Sequence, residues 1–176
     1  MLRPLLDRKS LVVLGLNSGT SADGMDLAVI RVTRRSGRVN ANFLSGKTIP
    51  YPTEIRRLIL AAADSSSTSA NEIIQLDNLL GQFYGRAARS YLGQLRRKQI
   101  QVDAIASHGQ TVRHIPAKKR IAGYDVRGTL QLGSIAQIAA ITGKVTAGDF
   151  RQGDIALGGE GAPITVGAMA DLFSDA

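Results

Sequence analysis

The sequence contains no cysteine and no tryptophan, and only two histidines among its 176 residues. Without cysteine the chain cannot form disulfides, zinc–thiolate sites or a cysteine nucleophile, and this composition is compatible with a reducing compartment. Both histidines lie in one short segment, which argues against a histidine-rich metal site. No apolar run approaches the ~18 residues of a membrane-spanning helix, and residues 1–10 lack an apolar stretch ahead of a cleavage site. We therefore expect a cytoplasmic protein without a secretory signal.

Aromatic residues are also scarce, with four Phe and four Tyr, whereas the net charge is +8 and the pI is near 10.3. Such a charge fits nucleic-acid binding. The basic residues are scattered in short groups without interleaved aromatics, so we assign them to solvated faces and helix ends, with a mild attraction for anionic nucleotides or sugars. A nucleic-acid binder remains an alternative, and retention on DNA that vanishes at moderate salt would mark it as non-specific.

The length and the 44% hydrophobic content predict one domain with a real core. Short runs rich in Val, Ile and Leu predict strands. These runs are Val12–Leu16, Leu27–Val32, Ala41–Thr48, Gln101–Ala106, Gly128–Gly133 and Val145–Phe150. Apolar residues recurring every three or four positions predict helices. The predicted helices are Glu54–Ala63 with Thr53 as cap, Ala70 to about Lys98, and Ser134–Thr142. A further helix is predicted to start within Ile164–Phe173.

Two connections separate the first predicted elements, the turn Arg35–Arg38 and the Ser-rich linker Asp64–Ser69. The order of the elements predicts an α/β protein. We expect a mixed sheet that starts with three antiparallel strands and is flanked by helices.

Small residues, hydroxyls and two carboxylates fill the segment Gly15–Asp26 between two predicted strands. Glycine lets the backbone approach a ligand closely, and successive N–H groups with Ser and Thr hydroxyls form a concavity suited to phosphate oxygens. Asp23 and Asp26 fit a Mg²⁺ ion that accompanies a nucleotide and is held through water. The segment is neither a Walker P-loop nor a dinucleotide fingerprint, because no Gly-Lys-Ser/Thr follows and the next element is a strand. The alternative is a β-hairpin turn without a ligand.

A second polar segment, Ser107–His114, follows a predicted strand, and ligands in α/β sheets gather at such ends. His108, Gln110 and Thr111 offer hydrogen bonds to a polyhydroxylated ligand. His108 suits a general base, but we favour substrate contact or support of the site. For His114 we favour a role in pinning its loop by hydrogen bonds.

A third polar segment is centred on Asp149 and Arg151, which we also expect at a strand end. Asp149 could bind a metal, hold a sugar hydroxyl or act as a base. It could equally form an ion pair with Arg151, and a carboxylate paired in this way makes a poor base. Gly158–Pro163 is expected to be a loop in which Gly159 and Gly161 let the backbone approach a ligand, or an ordinary glycine loop.

Four motifs in order resemble those of the anhydro-N-acetylmuramic acid kinases. Gly15–Asp26 resembles the family signature G-L-M-S-G-T-S-x-D-G-x-D, with Asn17 in place of Met. Ser107–His114 resembles S-H-G-Q-T-[VI]-x-H, and Thr129–Gly133 resembles T-[LV]-Q-[IL]-G. Asp149–Pro163 resembles D-F-R-x-x-D-[VI]-A-x-G-G-Q-G-A-P. The chain is thereby identified as a member of this family over about residues 12–172.

The resemblance implies the actin-like ATPase and sugar-kinase fold, built from two ribonuclease-H-like halves with the nucleotide between them. It implies that ATP phosphorylates O6 of 1,6-anhydro-N-acetylmuramic acid while water opens the anhydro bridge, a step in cell-wall recycling and peptidoglycan turnover. ATP would bind to the turn residues Gly19, Thr20, Ser21, Ala22, Asp23, Gly24, Met25 and Asp26. Asp23 would hold Mg²⁺ through water. The sugar would contact His108, Gln110, Thr111, Asp149, Arg151, Gly159 and Gly161.

The family's catalytic base lies in a G-F-D-x-G-P-G-N motif of the second half, and this motif does not occur here. The resemblance therefore implies that residues 1–176 form a single N-terminal lobe that contains no catalytic base, lacks the C-terminal lobe and is inactive alone. We expect a homodimer or pairing with a separate C-terminal half, no specific nucleic acid and no membrane. A lone lobe would also expose the surface that normally faces its partner, which predicts self-association or low solubility.

Three positions depart from the family pattern. Gln152 and Gly153 replace the usual arginines, and Glu160 replaces the usual Gln. Losing two cations and gaining a carboxylate weakens the case for an anionic sugar. A related kinase of an uncharged anhydro-sugar such as levoglucosan is therefore one alternative, and a non-catalytic binding or assembly module is another.

Overall fold

Six strands form one mixed sheet in the structure, a computed structural model that describes residues 5, 7–35, 38–64, 68–167 and 169. The strands are β1 (Ser10–Ser18), β2 (Gly24–Arg35), β3 (Arg38–Pro50), β4 (Ala104–Ile121), β5 (Tyr124–Leu132) and β6 (Val145–Ala147). The helices are α1 (Thr53–Ala63), α2 (Ala70–Arg97), α3 (Ile135–Thr142) and α4 (Phe150–Ala156). Among the described residues, no helix is long and apolar enough to span a membrane.

The sheet starts with three antiparallel strands, as the sequence predicts, in the order β3-β2-β1. β4 and β6 then continue the sheet in parallel to β1, which makes it mixed. Alternate residues of β1 and β2 are buried because successive side chains of a strand point to opposite faces; they include Leu14, Leu16, Leu27 and Val29. Ser36 and Gly37 of the predicted turn lie outside the described residues, as do residues 65–67 of the predicted linker.

Helix α2 covers the buried face of the sheet, and its 28 residues span about 42 Å at 1.5 Å per residue. It begins with a capping box in which Ser69 and Glu72 exchange side-chain and backbone hydrogen bonds. Its core residues recur at helical spacing and include Leu76, Leu80, Tyr84, Ala88 and Leu95. The interior is thus one layer of helix packed on one face of the sheet.

The structure corrects three element boundaries. Thr53 is the first residue of α1, and the cap position is Pro52, which provides no side-chain hydrogen bond. The strand predicted at Gln101–Ala106 begins at Ala104 and runs on to Ile121, through the polar segment that was expected to follow it. It can continue because Gly109, at a φ of 74°, and a bulge between Thr111 and Arg113 bend the strand without ending it.

The third correction concerns the strand predicted at Val145–Phe150, which ends at Ala147. Asp149, at a left-handed φ of 57°, turns the chain out of the sheet, and Phe150 starts α4. Asp149 therefore occupies the N-cap position of a short helix. The helix expected within Ile164–Phe173 falls partly outside the described residues.

Strands β4 and β5 extend past the end of β1 as a two-stranded ribbon, which we call the β4–β5 ribbon (residues 115–126). Every one of these residues is exposed. Tyr124, Val126 and Leu130 lie on the same sheet face as the buried Leu132, because residues two apart on a strand share a face. The apolar face of the sheet thus extends past the helices that cover it.

Candidate functional site

The three polar segments meet where the parallel strands β1 and β6 end beside the middle of β4. Ser18, the last residue of β1, pairs with Gln110 of β4. Ala147, the last residue of β6, pairs with Ala106 of β4, and Asp149 follows two residues later. The turn after β1, the middle of β4 and the start of α4 therefore lie side by side. This is the edge at which open α/β sheets bind ligands.

The turn between β1 and β2, residues 19–23, presents unpaired backbone donors. Ala22 donates its N–H to the Gly19 carbonyl at 3.2 Å. The other N–H groups of the turn form no hydrogen bond with any described residue; they belong to Gly19, Thr20, Ser21 and Asp23. Together with the exposed hydroxyl-bearing residues Thr20 and Ser21, they form a donor set that fits phosphate oxygens.

Several predicted ATP-binding residues have side chains that serve packing. Ala22 and Met25 are fully buried in the core, so only their backbones can contact a ligand. A Cβ on Gly24 would lie 2.5 Å from the Ile49 carbonyl oxygen, so glycine is required here by the pairing of β2 with β3. The direct contribution of this segment to a ligand is therefore concentrated in residues 19–21 and 23.

The two carboxylates near the turn are both exposed. Asp26 accepts a hydrogen bond from the Thr48 hydroxyl at 2.6 Å, which orients it. Within the described residues there is no group of three or more His, Cys, Asp or Glu side chains that could enclose a metal. Two exposed carboxylates suit a Mg²⁺ ion that keeps most of its waters.

Beneath the turn lies a buried polar chain of four residues, Ser18, Tyr51, Tyr84 and Gln110, all less than 10% exposed. Tyr51 donates to Ser18 at 3.0 Å and bonds to the Tyr84 hydroxyl. Gln110 accepts from Ser18 and donates to the Gly19 carbonyl at 3.1 Å. Gln110 is thus turned into the protein, towards the turn. Desolvation by burial raises the pKa of Tyr51 and that of Tyr84.

Sequence reasoning missed Tyr51 and Tyr84. A signal for Tyr84 exists, because it is spaced four residues from both Leu80 and Ala88 on the buried stripe of α2. Nothing in the local sequence of Tyr51 distinguishes it from a tyrosine at the surface.

His108 and Arg151 form a hydrogen-bonded pair on the other side of the site. Arg151 Nε donates to His108 Nε2 at 2.9 Å, and Arg151 Nη1 donates to the Gly161 carbonyl at 3.0 Å. His108 Nδ1 lies 3.0 Å from the Gly109 carbonyl, so the hydrogen-bond pattern assigns the proton to Nδ1. The Nε2 lone pair is thereby occupied, which favours support of the site over general-base chemistry.

Asp149 is exposed, and its carboxylate makes no hydrogen bond or ion pair with the described residues. The ion pair considered for Asp149 and Arg151 is therefore not formed, because the guanidinium bonds to His108 and Gly161 instead. The Asp149 carboxylate remains available to a ligand.

The glycine loop 158–163 is held by its own neighbours. The Asp154 carboxylate accepts the Gly161 N–H at 2.8 Å, and a Cβ on Gly159 would overlap that carboxylate. Arg127 Nη1 donates to the Gly159 carbonyl at 2.9 Å and lies 3.6 Å from the Glu160 carboxylate. These glycines thus serve the packing of the loop, while the loop itself borders the site through Arg151.

The remaining polar residues of β4 differ in their surroundings. Thr111 is half-buried, and its hydroxyl accepts from Gln131 at 3.3 Å. Ser107 Oγ and His114 Nδ1 are buried and have no hydrogen-bond partner among the described residues. The expectation that His114 pins its loop by hydrogen bonds is therefore wrong.

Comparisons with known proteins place the chain in a family. The family model described as anhydro-N-acetylmuramic acid kinase matches residues 11–176. Curated kinases of this name include that of Caldanaerobacter subterraneus, 38% identical over 91% of this chain and 40% of the relative. The kinase of Salinibacter ruber is 39% identical over 89% of this chain and 40% of the relative. The kinase of Trichormus variabilis is 40% identical over 92% of this chain and 41% of the relative.

The chain spans about two fifths of the length of these curated relatives. Among solved structures, CasPhi-2 bound to crRNA and phosphorothioate DNA is 15% identical, and the match covers 80% of the present chain and 23% of CasPhi-2. Its TM-score of 0.22 is too low to support any argument. The match of the family model over nearly the whole sequence is decisive, and the chain belongs to the anhydro-N-acetylmuramic acid kinase family.

Proposed function

We propose that this chain is the phosphate-binding lobe of a kinase that converts 1,6-anhydro-N-acetylmuramic acid, ATP and water to N-acetylmuramate 6-phosphate and ADP. The observation that supports this best is the exposed turn 19–23, whose free N–H groups lie at the same sheet edge as the His108–Arg151 pair and Asp149. Phosphoryl transfer depends mainly on positioning and on stabilising negative charge. A set of fixed donors at a strand end suits that task.

In this proposal the residues divide into a nucleotide side and a sugar side. ATP supplies the phosphoryl group, and Mg²⁺ offsets the phosphate charge when both are bound. On the nucleotide side, the N–H groups of residues 19–21 and 23 donate to phosphate oxygens, and Asp23 and Asp26 accept from water on the ion. On the sugar side, Asp149 accepts from sugar hydroxyls, with Thr111, Gly159 and Gly161 at the border of that site.

The proposal assigns no catalytic base to this chain. His108 uses its Nε2 lone pair to accept from Arg151, and the resemblance puts the base in a motif that is absent here. We therefore expect the chain to bind a nucleotide and to need a second lobe for turnover. A second copy or a separate C-terminal half is the partner we propose, in the cytoplasm.

A kinase of an uncharged anhydro-sugar is the second candidate, and Gln152 and Gly153 favour it because they provide no cation. Gln152 uses its amide to donate to the Thr129 carbonyl at 3.0 Å. The negative charge of Glu160 is, however, partly offset by Arg127 at 3.6 Å. Arg151 also remains near the site as a cation for an anionic sugar.

The test is ADP release and nucleotide binding by the purified chain with Mg-ATP and either 1,6-anhydro-N-acetylmuramic acid or levoglucosan, with the kinase of Caldanaerobacter subterraneus as the active control. We expect binding of Mg-ATP, weakened by Asp23→Ala, and no turnover. Turnover abolished by Asp149→Asn or Asp154→Asn would put the base in this chain and contradict the assignment. Absence of nucleotide binding would favour the non-catalytic module.

A further inference from the structure

The turn 19–23 is tied down at both of its ends by donors that come from inside the protein. At its start, the Gly19 carbonyl accepts from Gln110 Nε2 at 3.1 Å. At its end, the Asp23 carbonyl accepts from the Tyr51 N–H at 3.0 Å. The next carbonyl, that of Gly24, lies 3.0 Å from Ser18 Oγ, whose single proton is shared between Gly24 and Gln110. All three carbonyls are thereby turned inwards.

Turning the Gly19 carbonyl inwards aims a donor outwards. A peptide unit is planar and trans, so its C=O and N–H point in opposite directions. The unit that carries the Gly19 carbonyl also carries the Thr20 N–H, which has no partner among the described residues. The two hydrogen bonds to the Gly19 carbonyl, from Gln110 Nε2 and from the Ala22 N–H at 3.2 Å, therefore together fix the direction of the Thr20 N–H.

The donors of the buried chain behind Gln110 run in one direction, with a branch at Ser18, whose hydroxyl also faces the Gly24 carbonyl at 3.0 Å. Tyr51 donates its hydroxyl proton to Ser18, so Tyr84 must donate to Tyr51 in the bond that joins the two tyrosines. Ser18 then donates to Gln110 Oε1, and Gln110 donates to Gly19. Each hydrogen bond in such a chain polarises the next. The chain runs from the middle of α2 to the turn in a single direction.

Glutamine is the side chain that this position requires, because it must accept from Ser18 and donate to Gly19 at once. Its Nε2 also donates to the Thr111 carbonyl at 3.2 Å. Glu at this position would lack the donor. With 1% of its surface exposed, Gln110 is out of reach of a sugar in this structure.

We infer that Tyr51 and Gln110 are positioning residues, which hold the turn 19–23 in the conformation that binds phosphate. This inference rests on the proposed function, because it concerns the same turn. It gives Gln110 a role different from the sugar contact expected for it, and it adds Ser18, Tyr51 and Tyr84 to the residues on which nucleotide binding depends.

The chain offers a matched control for this inference. Tyr91 is also buried, 5% exposed against 7% for Tyr51, and its hydroxyl bonds to a serine on a strand, Ser45, at 2.7 Å. Tyr91→Phe therefore removes the same group from a similar setting that has no connection to the turn. Tyr51→Phe removes the link between Tyr84 and Ser18.

The experiment measures Mg-ATP affinity by calorimetry, thermal stability, and the ¹⁵N–¹H amide signals of Thr20 and Ser21 for the wild-type chain and both variants. We expect Tyr51→Phe to weaken ATP binding about tenfold and to shift both amide signals without ligand. Tyr91→Phe should lower the melting temperature by a similar amount and leave affinity and amide signals unchanged. Gln110→Glu should act like Tyr51→Phe.

The outcomes separate the inference from the proposed function. Equal effects of Tyr51→Phe and Tyr91→Phe on ATP affinity, or unmoved amide signals in Tyr51→Phe, would overturn the inference. A wild-type chain that binds no Mg-ATP would overturn the proposed function, while the ligand-free amide signals would still decide whether Tyr51 sets the conformation of the turn. Should Tyr51→Phe fail to fold, Ser18→Ala breaks the same chain at its next link, again by removing a single hydroxyl.

Discussion

At the scale of single residues, the guanidinium of Arg151 joins the β4 segment to the glycine loop. Its Nε and Nη1 reach two acceptors on different elements, His108 Nε2 and the Gly161 carbonyl. The planar fork of arginine can serve both at once, whereas the ammonium group of lysine is a single point charge on a flexible stem. The identity of this residue, and not only its charge, therefore matters to the site.

We expect Arg151→Lys to lower the free energy of unfolding by about 1–2 kcal/mol, because one hydrogen bond is lost and a part-buried acceptor remains unpaired. The measurement is urea unfolding. Arg113→Lys is the control, since the Arg113 side chain is exposed and makes no hydrogen bond with the described residues, and its effect should stay within about 0.5 kcal/mol. Equal losses in the two variants would show that the fork contributes nothing.

A pH dependence also belongs to the residue scale. Burial raises the pKa of Tyr51 and of Tyr84 above the ordinary value of 10.0, and Tyr84 is raised further by its neighbour Tyr51. Above pH 10 the unfolded chain releases protons that the folded chain keeps, so stability is fully present below pH 10 and falls as the pH rises beyond it. The slope is on the order of 1.4 kcal/mol per pH unit for each tyrosine.

Urea unfolding between pH 9 and pH 11 checks this expectation. Tyr84→Phe should be less stable at pH 9, yet its stability should fall less steeply above pH 10 than that of the wild type. Parallel curves for the two proteins would mean that Tyr84 has no part in the alkaline loss.

The residue types of the turn are visible in the sequence, whereas the residues that support it are not. Glycine, hydroxyl and carboxylate types predict a phosphate-binding turn through their chemistry, and this role stays a prediction. Gln110 has the same donors and acceptors whether it contacts a sugar or the turn, and only the pairing of Ser18 with Gln110 across two strands decides between these roles. Burial at that depth depends on contacts distant in sequence, which no local pattern encodes.

At the scale of elements, two helices approach closely through a glycine of α2. A Cβ on Gly81 would lie 2.9 Å from both the Cβ and the carbonyl oxygen of Ser134, at the start of α3. Gly93, in the same helix, has no atom within 4 Å of such a Cβ. The two positions separate the effect of helix propensity from the effect of packing.

We expect Gly81→Ala to lower the free energy of unfolding by about 1–3 kcal/mol, because overpacking outweighs the gain in helix propensity. Gly93→Ala should raise it by about 0.5–1 kcal/mol through propensity alone. Chemical unfolding of both variants gives the answer. Stabilisation by Gly81→Ala would show that α3 moves away at little cost.

Helix α2 and the first three strands can be predicted from the sequence because the periodic spacing of their apolar residues is strong and uninterrupted. The sequence predicts β4 too short, because the polar residues and Gly109 within it are typical of the end of a strand. A sheet tolerates them where bulges absorb the irregularity. The sequence predicts Asp149 within a strand, because local composition does not reveal a left-handed residue in a turn.

At the scale of the whole molecule, apolar surface remains exposed on the β4–β5 ribbon. Tyr124 and Ile121 face each other across its tip and are 74% and 51% exposed. Exposed apolar patches favour association. The ribbon is therefore the surface at which we expect self-association.

We expect Ile121→Thr combined with Tyr124→Thr to lower the sedimenting mass of the chain at high concentration, as measured by analytical ultracentrifugation. Phe43→Thr is the control, because Phe43 is 70% exposed but lies on β3, away from the ribbon. If Phe43→Thr reduces association and the ribbon variant does not, the contact lies at the β3 edge instead.

The architecture of the sheet could be predicted from the order of the elements, whereas the relation of this chain to other chains could not. A sequence that spans about two fifths of its relatives specifies its own sheet through local pairing. The surfaces that it offers to a partner, such as the ribbon, depend on where helices stop covering the sheet. That coverage is a property of the folded molecule.

The length of β4 has a consequence for motion. Its first residues are clamped between β1 and β6, whereas its last residues have β5 alone as a neighbour. A two-stranded ribbon is marginally stable in water by itself, so one continuous strand should contain both slow and fast amides. In deuterium oxide, the amides of residues 105–110 should exchange only through rare global opening, while those of 117–121 exchange by local fraying. Gln110 lies at the end of the slow segment, and through it the turn 19–23 is fastened to the part of β4 that exchanges slowly.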